Sequence, residues 1–473
     1  MRPVKLTCLL VIGLALVIGG CAGVQPRLPG YESVSIPELE WMPPDYSEFS
    51  LDNGMSGLVI HDTEVPLVNI YFSFPEPVDP ADKVGLAEMG AWLLRNGGSE
   101  NISADSLNNL IEFKGMVLNI GADEELLYMS VLCLKNDVDL VMGVMRELIE
   151  HPAYPPQMVE FKRRQMLESI RRSNDEPYRI CVREISKLIY KDHPLGRSNT
   201  AVTVNAVTRD DLLNFHRKAF QPSGAVMGVS GDITVQEAKA LAGKHFQSLK
   251  GITAKLAEMA PTCESAEPGV YYAYKDVNQA YVMMGHQSIR YDDTRRHAAD
   301  LMNYILGGGG FQSIMMTEVR INEGLAYGVG SRFTAPVPAV GVFRAGASTR
   351  LEEAGRTLNV MEKVIRDYQQ SGPTEEQFEA AKMAYINSFV WDFERTEEVL
   401  WRLVYYKWRG LPLDTPQRDL EAYQNVTLED VCQTARELLH PDSLIKVVIG
   451  DKSKMTQPLE SFGKVTELNI SVE

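Results

Sequence analysis

A segment of 26 residues occurs twice in this chain with the same internal spacing. Val207-Thr208-Arg209-Asp210-Asp211-Leu212 begins a helical pattern that runs to Phe220. Pro222 follows, then the apolar run Ala225 to Ser230, closed by Gly231-Asp232. Val426-Thr427-Leu428-Glu429-Asp430 begins a second helical pattern that runs to His440. Pro441 follows, then Leu444 to Ile449, closed by Gly450-Asp451. The offset is 219 at the start (207 to 426), at the proline (222 to 441) and at the last aspartate (232 to 451). One such unit is common, but two at one spacing imply a duplicated domain. Thr208 and Thr427 read as N-caps, each with an aspartate three residues on that can close a capping box. A weaker echo pairs 85–98 with 298–310, each an apolar helical pattern ending in glycines.

The duplication fixes the division of the chain. At 473 residues it is too long for one ordinary core. The halves are expected at 48–248 and 269–460, joined by a polar linker at 249–268 that carries Pro261, Ser265 and Pro268, with 461–473 as a C-terminal tail. The runs Gly57 to Ile60 and Val65 to Phe74 read as strands. Strands and helices mix in each half without strict β-α-β alternation. The expected fold is therefore α+β: two homologous domains, each a mainly antiparallel sheet packed with helices.

Residues 1–21 read as a leader. Arg2 and Lys5 precede the apolar stretch Leu6 to Ile18, which is short for a membrane span. The ending Ile18-Gly19-Gly20-Cys21 resembles a bacterial lipoprotein signal, with Cys21 as the lipidated residue; plain secretory cleavage is the alternative. The Pro- and Gly-rich stretch 22–47 then reads as a tether, and Ala22 resembles the outer-membrane sorting choice, so the expected location is the cell envelope, facing the periplasm. Loss of Arg2 and Lys5 takes the formal charge from -16 to -18. That charge, without a Lys/Arg run, argues against a nucleic-acid partner. Lys162-Arg163-Arg164 with Arg171-Arg172 reads as the solvated face of a helix. Cys133, Cys181, Cys263 and Cys432 show no metal-ligand spacing; buried free thiols are preferred, and disulfides stay open.

Several signposts together resemble the insulinase and pitrilysin type of zinc peptidase: Leu51-Asp52-Asn53-Gly54, Gly85-Leu86-Ala87, Asp192-His193-Pro194-Leu195-Gly196-Arg197, Leu306-Gly307-Gly308-Gly309-Gly310-Phe311, Arg320, and Glu323-Gly324-Leu325-Ala326-Tyr327. They fall in the family's order over nearly all of 48–460. The resemblance implies two similar domains facing across a substrate chamber, as in mitochondrial processing peptidases. It also implies an H-x-x-E-H helix that holds zinc and supplies a general base, with a glutamate on a later helix as third ligand. Here Glu88 stands at the first histidine, Ala91 at the base and Trp92 at the second histidine. The third ligand position falls at Ser169, beside Glu168. Trp92, with Leu86, Met89 and Leu93, is expected to fill core. The eight histidines offer no replacement pair and read as surface, turn or capping residues. No metal is expected in this chain.

The second half keeps what the first has lost. Arg320 and Tyr327 resemble the family's arginine–tyrosine pair, which donates hydrogen bonds to the scissile carbonyl as charge develops there. The plainer reading is a helix salt bridge for Arg320 and a half-buried strand position for Tyr327. Gly307, Gly308, Gly309 and Gly310 either end a helix or resemble a glycine-rich loop that touches a peptide. The expected function is a non-metal-binding subunit of a heterodimeric zinc metallopeptidase acting on short or unfolded peptides. A zinc-bearing partner of the same family would supply metal and base. The alternative is a catalytically inactive scaffold or peptide-binding protein of the cell envelope.

Overall fold

The structure, a computed structural model, describes residues 41–75, 78–122, 126–251 and 259–471. The leader with Cys21, residues 22–40 of the tether and residues 252–258 of the linker lie outside the described residues. The first half runs β1 Tyr46–Ser50, β2 Ser56–His61, β3 Leu67–Phe74, α1 Leu86–Gly97, α2 Ala104–Lys114, β4 Val117–Ala122, β5 Leu127–Leu134, α3 Val138–Glu150, α4 Pro156–Ser173, α5 Pro177–Tyr190, α6 Ala201–Ala206, α7 Arg209–Ala219, β6 Val226–Gly231 and α8 Val235–Phe246. The second half runs β7 Gly269–Tyr274, β8 Gln279–Gln287, α9 Arg296–Asn303, β9 Ala326–Phe333, β10 Val342–Arg350, α10 Ala354–Ser371, α11 Glu375–Phe389, α12 Thr396–Arg409, α13 Thr415–Asn425, α14 Leu428–Leu438, β11 Ile445–Gly450 and β12 Val465–Glu467.

Among the described residues the strands form two six-stranded sheets, ordered β1-β2-β6-β3-β5-β4 and β12-β7-β11-β8-β10-β9. Both are mixed. The β2–β6, β7–β11 and β7–β12 pairs are parallel and the others antiparallel. Residues 461–473, read from the sequence as a tail, contribute β12 to the second sheet. The two-domain α+β architecture is as expected, and the repeat is geometric as well as sequential. Thr208 and Asp211 form a capping box at the start of α7, and Thr427 and Asp430 form one at the start of α14. The 219-residue offset extends back to the starts of α4 and α11, at 156 and 375, and forward to the ends of β6 and β11, at 231 and 450.

Helices α5 and α12 occupy equivalent positions in this repeat, and each packs on the other half's sheet. Ile180, Cys181, Ile185 and Ile189 of α5 are buried against Met283, Ile445, Val447 and Ile449 of the second sheet. Val399, Leu400, Leu403 and Val404 of α12 are buried against Leu58, Ile60 and Val226 of the first. Each such side chain contributes roughly 1.5–3 kcal/mol on burial. One helix therefore carries an amount comparable to a domain's whole net stability of about 5–15 kcal/mol. Close approach is possible because Gly228 of β6 has no side chain: a Cβ there would lie 2.5 Å from Val404 Cγ2.

Two histidines depart from the surface, turn or capping roles expected of them. His216 is buried between the Tyr154 hydroxyl at 3.0 Å and the Ile149 carbonyl at 2.7 Å. His286 is buried against Phe343. Apolar neighbours on the adjoining elements close over both rings, which spacing along the chain does not reveal. His193 does cap, accepting from the Leu195 N–H.

Gly228→Val should lower the unfolding free energy by about 1–3 kcal/mol through overpacking against α12, read as a lower urea midpoint. A second expectation concerns acid. Burial pushes His216 and His286 down from 6.5 to about 4. The unfolded chain takes up these protons first as pH falls, so the stability they contribute is complete above about pH 6.5 and lost towards about pH 4. The urea midpoint should be lower near pH 5 than near pH 7; equal midpoints would contradict the buried neutral rings.

Candidate functional site

The first half places the expected metal positions on α1 and α4, which pack together. Gly85, at φ 101°, turns the chain into α1. The Asp79 carboxylate accepts from the N–H groups of Gly85 at 2.8 Å and Ala87 at 3.0 Å, closing the helix start from outside. Burial raises the Asp79 carboxyl, nearby Glu88 raises it further, and these backbone bonds pull the other way. Glu88, on the open face of the first turn, accepts from Lys162 Nζ at 2.8 Å and from Asn199 Nδ2 at 3.3 Å. The Lys162 ammonium lies 5.5 Å from the Trp92 ring centre, and Trp92 stacks on Phe161 at 5.9 Å. Ala91 is buried and Ser169 exposed. Glu168 is clasped by Arg171 and Arg172, which hold its carboxyl down to about 2.

These residues do not fit zinc. A catalytic site takes three protein ligands; Ala91 and Trp92 offer none, and both Glu88 oxygens are engaged. Among the described residues no group of three or more His, Cys, Asp or Glu is placed to hold a metal ion. The two helices are joined instead by an internal ammonium.

One expectation needs correction here. Lys162 is only 7% exposed, and Arg163 donates to the carbonyls of Val204 and Val207. One face of α4 is interior, and long basic side chains thread along it; Arg164, Arg171 and Arg172 alone are solvated. Trp92 packs against the first half's core as expected but is only partly buried, stacked on Phe161 beside the Lys162 ammonium.

The second half brings Arg320 and Tyr327 together. Arg320 lies on the wide helical turn Met316–Asn322, and Tyr327 is the second residue of β9. Gly328 pairs with Ser348 and Ala326 with Thr349, so Tyr327 is the extra residue of a β-bulge. Bulges re-aim side chains, and Tyr327 is 83% exposed. The Arg320 guanidinium carbon lies 4.9 Å from the Tyr327 ring centre and 5.1 Å from that of Phe311, itself exposed. Each exposed cation–π contact is worth about 0.5–1 kcal/mol, against about 2 kcal/mol of arginine rotamer entropy. Two together go far towards holding the guanidinium in place. Among the described residues Arg320 makes no ion pair, so neither plain reading, salt bridge or half-buried tyrosine, describes the pair.

The glycine run has a packing role. Gly307 lies so close to β9 that a Cβ would meet Ser331 Oγ at 2.4 Å, and one on Gly308 would meet the Asn303 amide at 2.7 Å. Gly308 and Gly310 are exposed beside Phe311. Tyr327 also borders an open cavity of about 700 Å³, walled by Tyr178 of α5 and floored by β8, β9 and β10. Phe311, Tyr178 and Lys162 were missed as site residues. Only Phe311 carried a signal, its place straight after the glycines. Of the four cysteines among the described residues, Cys133, Cys181 and Cys432 are buried free thiols, and Cys263 is a partly exposed one.

The family model for insulinase (peptidase family M16) matches residues 77–201, and that for the peptidase M16 inactive domain matches residues 206–385. The non-peptidase homolog YmxG of Helicobacter pylori is 24% identical over 397 residues, covering 82% of this chain and 90% of that protein. An uncharacterized zinc protease of Mycobacterium leprae is 26% identical over 336 residues, covering 69% and 74%. Among solved structures, a peptidase M16 inactive domain from Pseudomonas fluorescens superimposes with a TM-score of 0.79 at 25% identity, covering 88% of this chain and all of that one. A protease from Helicobacter pylori has a TM-score of 0.77 at 17% identity, covering 87% of this chain and all of that one, a likeness of fold.

The Lys162–Glu88 pair should respond unequally to its two deletions. Glu88→Ala strands a buried ammonium and should cost about 1–3 kcal/mol. Lys162→Met leaves a carboxylate that reaches water and should cost less than about 1 kcal/mol. Urea unfolding of the two variants measures the order, and the reverse order would refute it.

Proposed function

This chain belongs to the insulinase family, peptidase M16, as an inactive member, and from that premise we propose that it is the non-zinc subunit of a two-chain zinc peptidase. One observation carries the reading: Tyr327 is turned out of its strand by a bulge, and Arg320 is held over its ring, while 88, 91 and 92 bring no ligand set. A partner with an intact H-x-x-E-H supplies metal and base. This chain supplies the tyrosine hydroxyl and the guanidinium as preorganised donors to a carbonyl oxygen that gains negative charge. β9 is the last strand of its sheet, so an extended peptide can add to its free edge; the exposed glycines at 308 and 310 leave room beside it. Anchoring through lipid on Cys21 holds the subunit at the outer membrane, facing the periplasm.

A second reading, a scaffold or peptide binder without catalysis, is favoured by the likeness to a non-peptidase homolog. Co-expression with a zinc-bearing relative from the same source separates the two. Cleavage of an unfolded peptide should need both chains and stop with a chelator. Tyr327→Phe or Arg320→Ala should lower kcat by roughly 10²–10³, the usual cost of one oxyanion donor. Cleavage that is indifferent to both substitutions would leave only the binding role.

A further inference from the structure

The floor of the cavity beside Tyr327 carries two arginines in an arrangement that folding alone disfavours. Successive residues of a strand alternate between faces, and the register sorts the floor into cross-strand rows. Gly328, Ser348 and Tyr281 form one row, Gly330, Gly346 and Met283 the next, and Arg332, Arg344 and Gly285 the third. Arg332 and Arg344 are thus directly opposite neighbours on adjacent antiparallel strands, where like charges are destabilising. The chain has 63 acidic residues against 47 lysines and arginines, yet among the described residues no carboxylate pairs with either guanidinium. Helix α5 covers β11, part of β8 and the start of β10 at Val342 on this face, and leaves β9 and the rest of β10 open. The rest of the floor presents Gln279, Tyr281, Met283 and Ser348, with bare backbone at Gly328, Gly330 and Gly346. Gln279 is held by Ser348 through its carbonyl oxygen, at 3.0 Å, which leaves its amide N–H groups for other partners. A Cβ on Gly328 would meet nothing within 4 Å, the kind of strand glycine beside which another backbone can lie.

We propose that Arg332 and Arg344 form a carboxylate-binding subsite, so that the peptides this chain takes carry an anionic group, a C-terminal carboxylate or an acidic side chain, that docks between them while the adjoining backbone runs past Gly328 towards Tyr327. Paired guanidinium donors suit a carboxylate through charge-assisted, bidentate bonds. The bound anion also supplies the countercharge that the two cations lack in the free protein. This names a substrate class for the proposed peptide site and rests on that reading for its role, though the binding itself does not require a partner chain.

The test is calorimetric titration of the full chain, without a zinc-bearing partner, using three matched peptides: acetyl-Ala-Ala-Ala-Phe with a free C-terminus, the same peptide as its amide, and acetyl-Ala-Glu-Ala-Phe amide. The first should bind roughly tenfold or more tightly than the amide. The third shows whether an acidic side chain serves as well. Arg344→Gln and Arg332→Gln should each abolish the preference for the free acid. Each should also leave the melting temperature unchanged or raise it, because a repulsion is removed; a structural role for the arginines would lower it. Equal binding of acid and amide, a preference that survives both substitutions, or no saturable binding of any peptide would overturn the proposal. Because the assay reads binding alone, it can succeed where the two-chain cleavage fails, and the reverse.

Discussion

The exchange of α5 and α12 between the two halves is the contact on which the rest of this molecule depends. Each sheet needs cover on two faces. Its own helices supply one, as Leu358, Met361 and Ile365 of α10 do for the second sheet. The other is closed by a helix that belongs to the opposite half in sequence. Neither half can bury its sheet alone, and the duplication is therefore an obligatory pair rather than two beads on a string. The same exchange walls the cavity beside Tyr327. A single helix covers the centre of a sheet but not its full width, and the uncovered strands β9 and β10 become a floor bordered by Tyr178 of α5.

The two halves have diverged in opposite chemical directions on one scaffold. In the first, the space between α1 and α4 is filled from within: an ammonium takes the role of a bridging cation, and an indole stacked on Phe161 covers it. In the second, polar groups are left open. Tyr327 is exposed by a bulge, Arg320 rests on two aromatic rings, and Arg332 faces Arg344 across a strand pair. The opposition of Arg332 and Arg344 costs stability, so a fold relaxing towards pure scaffold would be expected to lose it. Closure in one half and exposed donors in the other are the contrast on which the proposed two-chain active site rests.

Much of this was legible along the chain. The repeat, the capping threonines and the α+β class follow from residue identity and spacing, and the absence of histidines at 88 and 92 and of a base at 91 follows from residue identity once the resemblance places the metal positions there. The pairing of Arg320 with Tyr327 was an expectation of the family resemblance; residue type and spacing alone pointed to two unrelated roles. Lys162 was misread as a solvated charge, because its residue type says nothing of a neighbouring helix that buries its stem and offers Glu88 to its head. His216 and His286 were misread for the same reason. Phe311 was visible only as the residue after a glycine run.

The sequence by itself determined the repeated helix–strand unit, the two-fold duplication and the α+β class, because these depend on side-chain identity and on local periodicity. The tertiary structure alone decided which half covers which sheet, that Tyr327 is turned outward by one extra residue in β9, and that two arginines twelve positions apart stand opposite each other without a carboxylate. Those outcomes depend on register and on packing between segments distant in the chain. A shift of a strand by one residue would turn every one of these side chains to the other face.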